Sequence, residues 1–98
     1  MYTIHFEFAK KGMMRYISHL DLMRLFVRAM RRARLPLKLS EGFSPHPKLS
    51  LARALKLGVD SDSEQGSIVL KEFVKTDEIM RRLQEQLPEG ISVVSVHL

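Results

Sequence analysis

Apolar and polar residues alternate without a break over Tyr2-Thr3-Ile4-His5-Phe6-Glu7-Phe8, placing Tyr2, Ile4, Phe6 and Phe8 on one face. A period of two predicts a strand with one buried side. Lys10-Lys11-Gly12 ends it. The period then lengthens. Leu22, Leu25, Phe26, Ala29 and Ala33 recur at helical spacing. This predicts a helix from His19 to Arg34, roughly 24 Å long at about 1.5 Å per residue. Ser18 stands three residues before Asp21, a capping-box-like start with a carboxylate at the favoured end of the dipole. Pro36 stops the helix.

Pro36, Gly42, Pro45 and Pro47 then demand a loop. From Lys48 to Leu57 the chain alternates again, with Leu49, Leu51, Leu55 and Leu57 on one face, interrupted by Arg53. Its Ala and Leu content also allows a helix, but the two-residue period fits better. Gly58–Glu64 reads as a polar turn and Ser67–Val74 as the next strand. Thr76 is expected to cap a second helix, with Asp77 and Glu78 in its first turn. Ile79, Met80, Leu83 and Leu87 face inward, and Pro88-Glu89-Gly90 ends it. Ile91–His97 is the final strand. The order β-α-β-β-α-β predicts an α+β, ferredoxin-like fold: an antiparallel sheet with two helices packed on one face. No repeat or linker divides the chain, so residues 1–98 are expected to form a single domain.

Composition adds exclusions. Apolar residues at 45% and charged residues at 28% are those of an ordered globular chain. Cysteine is absent, which removes disulfide scaffolds, thiol nucleophiles, zinc fingers and iron–sulfur clusters. No apolar run approaches the ~20 residues needed to span a bilayer, and the start lacks signal-peptide shape. A bacterial, cytoplasmic protein without membrane association is the expectation. Charge is uneven. Residues 1–58 carry 12 Lys/Arg against 3 acids, a net of +9, whereas residues 59–98 carry 4 against 8, a net of −4. Such asymmetry points to a face made for an anionic partner, with an ordinary solvated surface as the bland alternative.

The segments Ser18-His19-Leu20-Asp21-Leu22-Met23-Arg24 and Glu41-Gly42-Phe43-Ser44-Pro45-His46-Pro47-Lys48-Leu49-Ser50, about twenty residues apart, form a specific combination. In these the chain resembles the radical SAM-linked proteins, a bacterial group encoded beside, or fused to, radical S-adenosylmethionine proteins. Members usually continue well past this length, which implies a short form or the N-terminal part of a longer protein. Ala54-Leu55-Lys56-Leu57-Gly58 stands where that group has a proline-bearing version. The resemblance implies an accessory domain that works with a radical SAM protein, on RNA. It does not make the chain that enzyme, whose cluster needs three cysteines.

Two constellations could carry chemistry. Arg24, Arg28 and Arg31 fall at i, i+4 and i+7, one stripe away from the apolar face, with Arg32 and Arg34 beside its end. Guanidinium forks suit phosphates. The second is the loop at Gly42–Ser50, where Pro45 and Pro47 stiffen the backbone around His46 and Lys48 follows. It could grip a phosphate or a base; alternatively Phe43 plugs the core while the prolines brace the crossing. Of the four histidines, none shows metal-ligand spacing. His19, at a helix start, could pair with His46 as general acid and base for RNA cleavage. The expected function is therefore binding of RNA or another polyanion through Arg24, Arg28, Arg31, Arg32, His46 and Lys48, without cofactor or metal. The alternatives are a module docking on a radical SAM enzyme and a small metal-independent ribonuclease.

Overall fold

The computed structural model describes residues 1–54 and 56–98. Strand β1 (Tyr2–Lys10) is followed by a 3₁₀ turn (Gly12–Tyr16), helix α1 (His19–Arg32) and strands β2 (Leu49–Leu51) and β3 (Ser61–Leu70). Helix α2 (Thr76–Gln84) and strand β4 (Ile91–His97) complete the chain. The sheet runs β2-β3-β1-β4 with every neighbouring pair antiparallel. That is the ferredoxin-like arrangement the element order predicts. Alternation in β1 turns Ile4, Phe6 and Phe8 onto the helices, where they meet Leu22, Phe26 and Met30 of α1 and Ile79 and Leu83 of α2. Phe26 sits between two strand rings, 5.3 Å from Phe6 and 4.9 Å from Phe8.

The third strand departs from expectation. It begins at Ser61 and ends at Leu70, so Ser61–Glu64 of the polar stretch read as a turn is strand, while Phe73 and Val74 lie beyond it. The nine residues of β1 need a partner of matching length, and Lys10 pairs with Ser61. The inward side chain that disguised this half of β3 is Glu64, only 3% exposed. Arg53 donates two hydrogen bonds to it, at 2.8 and 2.7 Å. Ser61 donates a third, at 2.5 Å. Next inward is Gly66, against which the Phe6 ring packs.

The second strand is correspondingly short. Leaving the sheet after Leu51 frees Arg53 to reach Glu64, and Leu57 is exposed rather than on a buried face. Leu55, read as part of that face, lies outside the described residues. At the start of α2 the cap position belongs to Lys75, with no side-chain cap, so Thr76 is the first helical residue and not the cap. In β4 a bulge at Val94 shifts the register between Glu7↔Ser95 and Phe8↔Val93. The extra residue lets Val93 and Val96 both face the core while Val94 faces solvent.

Helix α1 ends at Arg32, two residues before the expected stop. Arg34 adopts φ 57°, and Leu35 N–H donates to the Met30 carbonyl at 3.2 Å. This is a Schellman closure with arginine in the left-handed position that glycine occupies most easily. Among the described residues no helix is long and apolar enough to cross a membrane.

Candidate functional site

Ser18 Oγ accepts from Asp21 N–H at 3.1 Å, so α1 starts as its sequence dictates. Burial of Leu22, Phe26, Ala29 and Met30 fixes the helix rotation. Arg24, Arg28 and Arg31 are thereby left exposed on the other side. Successive members stand about 6 and about 4.5 Å apart along the axis, a rising row of forks. Asp21 approaches Arg24 at 3.7 Å with both side chains mostly exposed. Such a pair holds an arginine only weakly.

The Pro-His-Pro segment faces this row. Leu39 bridges Pro47, and Ser40 N–H donates to the His46 carbonyl at 2.8 Å. His46 N–H returns a bond to Ser40 Oγ at 3.2 Å, closing the neck of the loop. Below the neck, Lys38 N–H donates to the Val69 carbonyl at 2.9 Å, anchoring the loop to β3. His46 Nδ1 lies 3.1 Å from the Ser44 carbonyl. The same Nδ1 lies 3.2 Å from Ser40 Oγ, so the ring is held against the loop from two sides. At the tip Gly42 has φ 120°, a conformation that favours glycine. Phe43 beside it is fully exposed, so it does not plug the core.

Helix and loop enclose a groove of about 510 Å³. Arg24, Arg28, Arg31 and His46 line it, over a floor that includes Met23, Val27 and Leu49. The structure thus brings four of the sequence-derived site residues together. The other two lie elsewhere. Arg32 lines a second groove, of about 630 Å³, together with Arg28, Glu85 and Leu87. Lys48 is exposed but outside the first groove, since alternation sends it away from its neighbour Leu49. His19 does not line the groove either. Its Nδ1 is buried and has no hydrogen-bond partner among the described residues, so the groove holds one histidine of the suggested acid–base pair.

Residues 3–98 match the model of a family described as an uncharacterized protein conserved in bacteria (DUF2344). The chain belongs to this family. No curated protein and no solved structure matches it. The family description names no enzyme partner and no ligand, so the association with radical SAM proteins is not part of what the match shows.

Several side chains that hold the helix, the sheet and its loops in place escape sequence reasoning. Arg82, on α2, donates to the Ala33 carbonyl at 2.9 and 2.6 Å and to the Arg34 carbonyl at 2.7 Å. It caps the carbonyl end of the arginine-bearing helix from 49 residues away. Lys10 is wholly buried, its ammonium donating to the Arg15 and Lys56 carbonyls at 3.4 and 3.3 Å. Together with Arg53 and Ser61 it holds the Glu64 carboxyl below the usual carboxylate range; the Arg53 hydrogen bond is the largest cause, and burial opposes it. On the solvent side of the sheet, His5 and His97 are register partners whose rings stack at 5.6 Å. Their spacing of 92 positions hides this in the sequence. Among the described residues no three His, Cys, Asp or Glu side chains gather to hold a metal ion.

Proposed function

We propose that this domain is an RNA-binding module in which Arg24, Arg28 and Arg31 take successive phosphates along the groove beside His46. One observation carries the reading: three guanidinium groups of a single helix face line one groove, and Asp21 at 3.7 Å is their ion-pair partner among the described residues. A row of largely unneutralised forks at helical spacing suits a polyanion of regular charge spacing. The resemblance noted in the motifs adds a protein partner, a radical SAM enzyme that would act on the RNA held here.

Salt tests the reading. Three phosphate contacts at about −0.7 each give a slope near −2 for log affinity of a flexible strand against log salt. Affinity should then fall roughly 20-fold between about 50 and about 200 mM salt. Converting Arg24, Arg28 and Arg31 together to Gln should flatten the slope, with thermal stability almost unchanged because all three side chains are exposed. Absence of salt-sensitive RNA binding by the unaltered chain at physiological ionic strength removes the proposal and leaves docking on an acidic protein surface in its place.

A further inference from the structure

Resting on that RNA reading, we infer that the groove is built for unpaired nucleotides: the arginines hold phosphates while bases lie on its apolar floor and on the ring of Phe43. The floor is the first observation. Met23, Val27, Leu49 and Pro47 share the groove with the arginines. A duplex offers sugars and phosphates and keeps its base faces inside the stack, so it leaves such a floor unused. A single strand has base faces to bury.

Phe43 is the second, independent observation. Phe6, Phe8 and Phe26 are buried in the core, and Phe73 packs edge-on against Tyr2 at 5.7 Å. Phe43 alone among them is as exposed as a free side chain, at 107%. Among the described residues its ring pairs with no other aromatic ring. Its loop is not slack, because Ser40 and His46 close the neck by two hydrogen bonds and the Pro45 and Pro47 rings restrict the backbone. Phe43 therefore sits in a loop with a closed neck, three residues from His46, which lines the groove. A closed neck reduces the backbone freedom the loop must give up when a base stacks on the ring. Charge alone would favour the opposite partner, since each contact to duplex contributes more to the salt-dependent affinity than each contact to a single strand. A preference for single strands therefore reports the floor and the ring.

The test is fluorescence anisotropy on the purified chain with a labelled ten-nucleotide oligouridylate and a ten-base-pair RNA duplex. We expect the oligouridylate to bind at least tenfold more tightly than the duplex. Phe43→Ala should weaken it about tenfold, within the range for one base–aromatic stack, and leave duplex binding and Tm unchanged. Phe43→Trp should keep the affinity, with its fluorescence quenched on addition of oligouridylate. Equal or tighter binding of the duplex, or a Phe43→Ala variant that binds oligouridylate like the parent, overturns the inference. In that case salt-dependent binding lost in the triple Gln variant would still support the RNA reading. If neither RNA binds, both readings fall together.

Discussion

Gly66 offers the most direct check on how the sheet is packed. Alanine there would place its Cβ 2.5 Å from Phe6 Cζ, 2.8 Å from Phe6 Cε2 and 3.0 Å from Leu51 Cδ2. Ordinary contact begins at 3.4 Å, so the ring would have to retreat by about 1 Å, and a close-packed interior resists such shifts. It has nowhere to go: Phe6 is 1% exposed and lies against Phe8 and Phe26 at 5.9 and 5.3 Å between centroids. Overpacking of this kind costs about 1–3 kcal/mol. Loss of glycine's freedom in the unfolded chain returns about 0.4–1 kcal/mol. The net for Gly66→Ala is a destabilisation of up to about 2.6 kcal/mol, centred near about 1.3 kcal/mol, which is a drop in Tm of roughly 5–10 °C for a domain of this size. Thermal unfolding followed by circular dichroism reads it. Phe6→Leu should absorb the added methyl, so the double variant should be more stable than the sum of the single effects by at least about 0.5 kcal/mol. A Gly66→Ala protein that melts at or above the parent temperature would refute the packing of Phe6 over β3.

Two further outcomes follow from polar groups the fold has enclosed. Glu64 has its carboxyl held below the usual range, so its contribution to stability is present above the unfolded carboxylate pKa of about 4.3 and disappears as pH falls through the lower folded value. The Tm gap between the parent and Glu64→Gln should therefore be widest at neutral pH and narrow progressively in acid below about pH 4; a gap that stays constant with pH would rule this out. Arg82→Ala removes three charge-assisted hydrogen bonds from the end of α1 and should lower stability by about 1.5–3 kcal/mol, with Arg82→Lys recovering only part because an ammonium cannot reproduce the fork. Unfolding in urea checks both variants, and an Arg82→Ala midpoint equal to the parent's would show that the carbonyls are satisfied by water.

The sequence by itself determined whatever depends on neighbours along the chain. Alternation placed Ile4, Phe6 and Phe8 on one face of β1, Ser18 opened α1, and the three-to-four spacing set Arg24, Arg28 and Arg31 on the face opposite Leu22 and Phe26. These are consequences of side-chain periods and local hydrogen bonds, which act within a few residues. The element order was enough to anticipate the sheet. What it could not show is set by contacts between distant segments. A glutamate at an inward position reads as loop until Arg53 and Ser61 are seen to satisfy it, so the first half of β3 was hidden. The bulge at Val94 changes which valines face the core, and a period of two cannot register an inserted residue. Lys48 and Arg32 carry the same charge as the groove arginines, and which basic side chains share a groove depends on where the loop and α2 lie against α1. The exposure of Phe43 was equally closed to sequence reasoning, because an aromatic residue is ordinarily worth most when buried. Hydrogen bonds between Ser40 and His46, six positions apart, hold its loop clear of the core, and the groove exists because β3 anchors that loop beside α1.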